Sequence, residues 1–338
     1  MQNKINIGII GKNFGYKVIY KSFLKNKKFS IRGFAFKSKT NKKLKFPSNI
    51  KIFYNWRKLI LSKNIDAIAI ATPPIFHKQI IKYAIKNNKH IFCEKPFTCS
   101  FKDADIICNL IKKKGNISHM VNYEFSEINA FNFLKEKIIN NIKIDDMHLE
   151  WIINIKKRSK TSWKENHSKG GGIMFNYVCH SIYYLEFLFG KINAVKLNIF
   201  NEKNSKIKNL KGLIFFKNKL FLKLNVKVGK LPNRLKPTHQ LRVKSDKKNY
   251  ILKSDLNSLA NKFQLFKLDK NSKKILFRNK NRDNDFRIEP TLKNSKKFSS
   301  WILNKKRKKP NFYDATRIHL IIKKIINSSK SKKLVYID

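Results

Sequence analysis

The sequence predicts an α/β protein in two parts: a doubly wound parallel sheet, followed by an α+β part with a large, mostly antiparallel open sheet. Up to about residue 122, short apolar runs alternate with helical stretches, as in parallel strands joined by crossover helices. From Val195 to about Phe277, strands and turns alternate instead, which favours antiparallel pairing. The 338 residues exceed one ordinary single-core domain, so we expect domains over residues 1–122 and 123–338.

The first part contains five candidate strands with helices between them. The predicted strands are Ile5–Ile10, Phe29–Phe36, Asp66–Ala71, His90–Cys93 and Ser118–Asn122. The predicted helices are Tyr16–Leu24, Asn55–Leu61, His77–Lys86 and Asp103–Lys113. In a sheet of this kind, ligands bind beyond the carboxyl ends of the strands, so the residues that follow each strand are the first candidates for a site.

The second part begins with a helix near Ala130–Ile139 and continues into strands. Its other predicted elements are Asp146–Lys156, a helix at Asn176–Phe189, strands at Gly212–Phe216 and Lys219–Val228, a late helix at Tyr313–Ser328 and a final strand at Leu334–Ile337. An open antiparallel sheet exposes a broad face. We therefore expect a homodimer or homotetramer packed through this sheet.

The chain is strongly basic, with 76 Lys and Arg against 21 Asp and Glu and a formal net charge of +55. Such a charge is typical of nucleic-acid binders. However, the lysines are spread from end to end, and Lys, Asn, Ile and Phe share A/T-rich codons, so an A/T-rich genome would produce the same composition. We find no recognition helix, zinc module or aromatic platform, and we expect no specific nucleic-acid partner.

The chain lacks features of a membrane or secreted protein. No stretch approaches the roughly 20 apolar residues of a membrane span, and no cleavage site follows the apolar run Ile5–Ile10. The four cysteines form no CxxC pair and no zinc pattern, so we expect no metal site. A reducing, cytoplasmic location suits them.

A glycine-containing turn follows the first strand, in the segment Gly8-Ile-Ile-Gly11-Lys-Asn-Phe-Gly15. Glycines in this position let the backbone approach a pyrophosphate at the N-terminus of the next helix. The pattern is imperfect, because Asn13 and Tyr16 stand where glycines would complete it. Asn13 tolerates a positive φ better than most residues, so the turn can still form, with Phe14 beside it; a plain strand–turn–helix is the alternative.

The end of the second strand bears on the choice of cofactor. An acid at this point holds the ribose 2′-hydroxyl, whereas basic or small polar residues accept a 2′-phosphate. Here Phe36 is followed by Lys37 and Ser38. The sequence therefore favours NADP(H) over NAD(H).

Two further motifs carry a resemblance to a known family. The third strand ends in Ala71-Thr72-Pro73-Pro74 with His77 three residues on, and the fourth ends in Cys93-Glu94-Lys95-Pro96-Phe97. In the second part, Lys169-Gly170-Gly171-Gly172 precedes Asn176, Tyr177 and His180. This arrangement resembles the glucose–fructose oxidoreductase, inositol dehydrogenase and MocA-type family, with its Rossmann-type first domain.

The resemblance implies an oxidoreductase that acts on a small sugar-like substrate. By analogy, Lys95 polarises the reacting oxygen, His180 is the general acid/base, and both act at the nicotinamide ring of the cofactor. Thr72, Pro73, Pro74, His77 and Glu94 would lie on the cofactor side. His77 could instead cap its helix, and Glu94 could anchor the loop before Lys95.

Departures from the family pattern leave the identity of the substrate more open than the type of reaction. Asn176 stands where many members carry Asp, and it can orient by hydrogen bonding but cannot titrate. Trp163, Lys164, Tyr177 and Tyr123 are further candidates for substrate contacts, the first two in a polar loop suited to stacking and to phosphate. Two alternatives stay open: an imine or enone reductase of the same fold, and a catalytically silent cofactor-binding regulator.

Overall fold

The computed structural model of the chain describes residues 4–36, 44–155, 162–201, 207–232, 236–245, 248–254, 263–269, 272–278, 283 and 285–337. The chain divides into two compact units. The first unit consists of Met1–Glu124, Asn166–Phe175 and Arg287–Arg317, and the second of Phe125–Glu165, Asn176–Phe286 and Ile318–Asp338. The first unit thus includes two segments from the second part of the sequence.

The strands lie in two sheets. They are β1 (Ile5–Ile10), β2 (Phe29–Ala35), β3 (Lys51–Phe53), β4 (Ala67–Ile70), β5 (His90–Cys93), β6 (His119–Val121), β7 (Asp146–Asn154), β8 (Ile192–Asn201), β9 (Lys208–Phe216), β10 (Phe221–Gly229), β11 (Thr238–Ser245), β12 (Lys248–Ser254), β13 (Phe263–Leu268), β14 (Lys273–Arg278) and β15 (Val335–Tyr336).

The α-helices are α1 (Lys21–Leu24), α2 (Trp56–Leu61), α3 (His77–Lys86), α4 (Phe101–Lys114), α5 (Asn129–Phe133), α6 (Cys179–Phe189), α7 (Ile288–Asn304) and α8 (Phe312–Ser331). Three of them adjoin a π-helical turn: Gly15–Tyr20 runs into α1, Leu134–Ile138 follows α5, and Met174–Val178 runs into α6. Side-chain oxygens cap two helix starts, Asn55 at α2 and Ser100 at α4, as expected for these residue types.

The first unit is built on a parallel six-stranded sheet in the order β3-β2-β1-β4-β5-β6. The order reverses beside β1, as in a doubly wound nucleotide-binding fold. All four residues of β4 are buried, which is why this strand is a continuous apolar run. The predicted fold class of the first part is confirmed.

Helix α7 completes the core of the first unit, and the sequence analysis did not predict it. Its Phe298, Trp301 and Ile302 belong to the same apolar cluster as the inner residues of β1, β2 and β4. The rings of Phe29 and Phe298 stack with their centroids 5.9 Å apart. The short strand β3, which extends the sheet beside β2, was also not predicted.

The second unit contains a nine-stranded sheet in the order β14-β13-β12-β11-β7-β10-β9-β8-β15. Strands β7 and β10 pair in parallel, and all other neighbours are antiparallel. Buried residues alternate with more exposed ones along β11, where His239, Leu241, Val243 and Ser245 point inward. This pattern marks a sheet with one covered face, and the predicted mostly antiparallel sheet is confirmed.

Several predicted strand boundaries differ from the structure: β9 begins at Lys208 rather than Gly212, and β10 begins at Phe221 rather than Lys219. The sequence analysis began a strand at Lys219, but Lys219 lies in the turn between β9 and β10 with φ +67°. Its backbone nitrogen donates to the carbonyl of Phe216, closing the hairpin before the strand starts at Phe221. Within the described residues, no helix combines the length and the apolar character needed to cross a bilayer.

Candidate active site

The turn after β1 is fixed by Gly11. This residue has φ +123°, a conformation that side chains disfavour, and its nitrogen donates to the carbonyl of Ala35 at 2.9 Å. A methyl group at Gly11 would overlap the carbonyl of Ala71 and lie 3.0 Å from the backbone nitrogen of Thr72. The backbone after β1 therefore runs directly against the backbone after β4.

The neighbouring motif residues play different structural parts. Gly8 lies within β1, where a Cβ would meet the side chain of Leu59. Asn13 and Phe14 are already helical, and Gly15 begins the π-helical turn. Asn13 does not adopt a positive φ, so the expectation that it would stand in for a turn glycine was wrong: Gly11 supplies the positive φ.

The loop after β4 contains an unsatisfied polar atom. The hydroxyl oxygen of Thr72 is buried and has no hydrogen-bond partner among the described residues. A buried hydroxyl without a partner costs free energy, so this position suits a ligand that can hydrogen-bond to it. Pro73 leads into a 3₁₀ turn that starts at Pro74.

His77, at the start of α3, joins two loops of the first unit. Its Nε2 lies 2.8 Å from the carbonyl oxygen of Thr72, and its Nδ1 lies 3.1 Å from that of Pro96 and 3.2 Å from that of Phe97. Burial lowers the pKa of the imidazole. Because both nitrogens face backbone carbonyls, His77 orders the loops after β4 and β5, and its effect on a bound cofactor would be indirect.

Glu94 and Lys95 follow β5 at the carboxyl end of the sheet. The Glu94 side chain is buried, and its Oε1 accepts a hydrogen bond of 2.6 Å from the amide nitrogen of Asn122. Burial, reinforced by the charge of Glu124, raises the pKa of Glu94 to about 8. Lys95 is partly exposed. Tyr123, by contrast, is 1% exposed.

In the second unit, the structure brings three predicted substrate-site residues together. The side-chain amide of Asn176 donates to the carbonyl of Lys164. The Lys164 ammonium lies 5.9 Å from the ring centroid of Trp163, within cation–π range. Asn176 thus connects the start of the α6 segment to the polar loop. Tyr177 lies edge-on to Trp151, at 5.8 Å between centroids.

His180 lies in the first turn of α6. It is 5% exposed, and its ring contacts Phe125 edge-on at 4.8 Å. One turn later on the same helix, the hydroxyl of Tyr184 lies 2.9 Å from Nε2 of His239. His239 stacks on Trp151 at 4.2 Å, and burial lowers its pKa to about 3, so it is neutral at physiological pH.

The sequence analysis missed Tyr184, His239, Asn122 and Asn294 as residues that order the site. The signal that could have identified them is weak, because single polar residues in apolar runs are common. Lys37 and Ser38, on which the predicted cofactor preference depends, lie outside the described residues. Within the described part of the chain, no group of three or more His, Cys, Asp or Glu side chains could hold a metal ion.

Two family models cover most of the chain. Residues 5–123 match "Oxidoreductase family, NAD-binding Rossmann fold", and residues 134–337 match "Oxidoreductase family, C-terminal alpha/beta domain". The chain belongs to the Gfo/Idh/MocA oxidoreductase family. Its first domain matches the part of this family that is described as an NAD-binding Rossmann fold.

Curated relatives of this Gfo/Idh/MocA protein are distant. A 2,7-anhydro-N-acetylneuraminate hydratase of Escherichia coli is 30% identical over 137 residues, which is 40% of this chain and 36% of the relative. An uncharacterized oxidoreductase of Synechocystis is 24% identical over 153 residues, 44% of this chain and 40% of the relative. The chain thus spans about two fifths of the length of these curated relatives.

Solved structures share the fold over nearly the whole length. Levoglucosan dehydrogenase in complex with NADH superposes with a TM-score of 0.79 at 17% identity, covering 99% of this chain and 100% of the other. A super-repressor mutant of Gal80p from Saccharomyces cerevisiae gives 0.80 at 15% identity, covering 99% and 98%. At these identities, the likeness establishes the fold alone.

Proposed function

We propose that this protein transfers hydride between nicotinamide C4 and a hydroxyl or keto carbon of a sugar, cyclitol or sugar nucleotide. The observation that carries the proposal is the arrangement at the carboxyl ends of β1, β4 and β5 in one parallel sheet. Gly11 and the unsatisfied hydroxyl of Thr72 lie at two of these ends, and Lys95 follows the third.

The residues present fit a dinucleotide. Any side chain at Gly11 would overlap the backbone of Ala71. The buried Thr72 hydroxyl has no partner among the described residues, so a ligand that bonds to it would satisfy it. We propose that Gly8, Gly11, Asn13, Phe14 and Gly15 form the turn around the cofactor's phosphates. Thr72, Pro73, Pro74, Glu94 and Lys95 would lie along it, with His77 ordering two of their loops. When bound, the nicotinamide supplies or accepts the hydride.

The preference for NADP(H) over NAD(H) is part of the proposal. It depends on Lys37 and Ser38, whose cation and hydroxyl are suited to a 2′-phosphate. We expect Lys37→Asp to weaken binding of NADPH more than that of NADH.

Lys95 and His180 divide the work on the substrate. The Lys95 ammonium donates a hydrogen bond to the reacting oxygen and stabilises the negative charge that develops on it. His180 takes the proton of the hydroxyl during oxidation and returns it during reduction. Asn176 orients the substrate or His180, since an amide cannot titrate.

The polar loop supports a sugar or sugar-nucleotide substrate. Its Trp163 ring offers a face for stacking, Lys164 is an exposed cation, and Asn176 and Tyr177 lie on the segment that leads to His180. The burial of Tyr123 favours packing over a direct contact, so its predicted substrate contact would require rearrangement of its surroundings.

A catalytically silent cofactor-binding regulator is the second candidate. Asn176 in place of a titratable residue favours it, because an amide cannot act as an acid or a base. The presence of both Lys95 and His180 argues for catalysis, because binding alone requires neither.

The test is a panel of sugars, cyclitols and nucleotide sugars assayed by cofactor absorbance. NADPH and NADH titrations by fluorescence come first, at salt high enough to screen the +55 net charge. We expect His180→Ala to lower kcat by roughly 10²-fold or more, as for a lost general acid/base. Lys86→Ala, at an exposed position of α3, is the matched control for Lys95→Ala. An active enzyme indifferent to both site substitutions would refute the assignment.

We also propose a cytoplasmic homodimer or homotetramer that associates through the open sheet of the second unit. The four cysteines are free, which fits a reducing compartment. Light scattering that gives a monomer at micromolar concentration would contradict the assembly.

A further inference from the structure

Two buried carboxyl groups lie in the first unit, one of them in Glu94, the residue before Lys95. Strands β5 and β6 pair in parallel with Cys93 opposite Val121, so Glu94 and Asn122 leave the sheet side by side. Glu124 follows two residues later. Both glutamates are 6% exposed, and their charges act on each other.

The hydrogen bonds around Asn122 fix the direction of its amide. Its nitrogen donates to Oε1 of Glu94 at 2.6 Å and to the hydroxyl of Thr291 at 2.9 Å, and its oxygen accepts from the amide of Asn294 at 3.0 Å. Thr291 and Asn294 are fully buried on α7. The amide therefore cannot turn its oxygen toward Glu94 without breaking the bond with Asn294.

This single amide is the only hydrogen-bond donor that the described residues give to the Glu94 carboxyl group. A buried carboxylate needs several donors or a close cation to remain ionised. Lys95 and Arg287 do favour the charged form, as does the Asn122 bond, but burial and the like charge of Glu124 outweigh them. The pKa of Glu94 is accordingly raised to about 8.

We propose that Glu94 carries a proton at neutral pH, held beside the charge of Glu124, and that the loss of this proton weakens the action of Lys95 on the substrate. The second part of this proposal, the effect on Lys95, rests on the proposed function. The neutral acid presents no charge to Lys95. When its proton passes to solvent base at higher pH, the new carboxylate attracts the Lys95 ammonium, in competition with the substrate oxygen. Glu94 and Glu124 are thus positioning residues.

The first test needs no activity: a pH titration of the protein with ¹³C-labelled Glu carboxyl groups, followed by NMR. We expect one glutamate of the wild type to titrate near pH 8. Glu94→Gln removes this resonance, whereas Glu124→Gln removes the like charge and shifts the midpoint of the titration to lower pH. Glu136→Gln, at an exposed position, leaves it in place.

Titration of every wild-type glutamate below pH 6 would overturn the proposal, and so would a high-pH resonance that survives Glu94→Gln. If Glu94→Gln does not fold, the downward shift in Glu124→Gln still decides the assignment. A resonance that stays unshifted in Glu124→Gln would exclude the coupling of the two carboxyls.

The second test is the pH profile of kcat/KM. We expect the wild-type rate to fall above about pH 8, Glu94→Gln to extend the plateau to higher pH, and Glu124→Gln to move the fall to lower pH. Identical profiles for all three would refute the effect on Lys95. If no substrate turns over, the proposed function fails while the NMR titration still decides whether Glu94 holds the proton.

Discussion

Among single alanine substitutions in the turn after β1, Gly11→Ala should lower the affinity for the cofactor most. Gly11 has φ +123°, and an added Cβ would overlap the carbonyl of Ala71 and lie 3.0 Å from the nitrogen of Thr72. Both neighbours are backbone atoms, which cannot rotate away as a flexible side chain can. The loops after β1 and β4 must therefore separate.

The expected magnitude follows from two contributions. A non-glycine residue held in this backbone region costs on the order of 1–3 kcal/mol. Separation of the two loops adds the loss of the 2.7 Å hydrogen bond from the backbone nitrogen of Ala71 to the carbonyl of Ile10, about 1 kcal/mol. We expect the free energy of unfolding to fall by about 2–4 kcal/mol and the affinity for NAD(P)H to fall at least tenfold, since about 1.4 kcal/mol corresponds to a factor of ten.

Urea denaturation and fluorescence titration with NADPH and NADH measure both effects. The matched control is Gly15→Ala, because a Cβ at Gly15 would meet its nearest neighbours at 3.5–3.6 Å, an ordinary contact distance. We expect Gly15→Ala to change stability by less than about 1 kcal/mol. Equal stability of the two variants, or an unchanged cofactor affinity of Gly11→Ala, would refute the reasoning.

Three further predictions concern single polar groups. Thr72→Val should raise the stability of the cofactor-free protein, because it removes a buried hydroxyl that has no partner among the described residues. The same change should weaken cofactor binding by about three- to tenfold, the worth of one hydrogen bond; unchanged affinity by titration would contradict it. Tyr184→Phe leaves Nε2 of the buried His239 without its partner and should cost about 1–3 kcal/mol in urea denaturation; a cost below about 0.5 kcal/mol would contradict it. In the folded state the pKa of Glu94 is about 8, against an ordinary 4.5. Between these two pH values the folded state binds more protons than the unfolded state. The free energy of unfolding of the wild type should therefore fall as pH rises from about 4.5 to about 8, by up to about 5 kcal/mol. Glu94→Gln should lack that fall, and parallel pH–stability curves for the two proteins would count against it.

The sequence predicted the elements that have a clear local signal. The continuous apolar run of β4 and the glycine turn after β1 identified the parallel sheet, and the alternation of strands and turns from Val195 to about Phe277 identified the second sheet. These patterns arise because a strand's burial on one or both faces determines which residues it can contain.

Helix α7 escaped prediction for a physical reason. Its buried face carries Thr291, Asn294, Ser295 and Ser299 beside Phe298, Trp301 and Ile302, so polar residues occupy positions that an apolar stripe would otherwise fill. These polar residues bond to partners far along the chain: the amide nitrogen of Asn294, for example, donates to the side-chain oxygen of Asn122, 172 residues away. No local pattern encodes such a pairing.

The same limit applies to the candidate site. Lys95 and His180 could be singled out because each stands in a recognisable motif. The raised pKa of Glu94 could not be predicted from the sequence. It depends on burial and on the charge of Glu124, which follows the neighbouring strand β6. The Tyr184–His239 pair likewise joins α6 to β11, and only the folded chain brings these residues together.

The most direct test of the central claim is the transfer of deuterium from C4-deuterated NADPH or NADH to a keto sugar or keto nucleotide sugar, followed by mass spectrometry of the product. The account predicts a product heavier by one mass unit with the wild type, and at least a hundredfold slower labelling with His180→Ala. Tight cofactor binding without label in any product of the panel would contradict hydride transfer and favour the regulator.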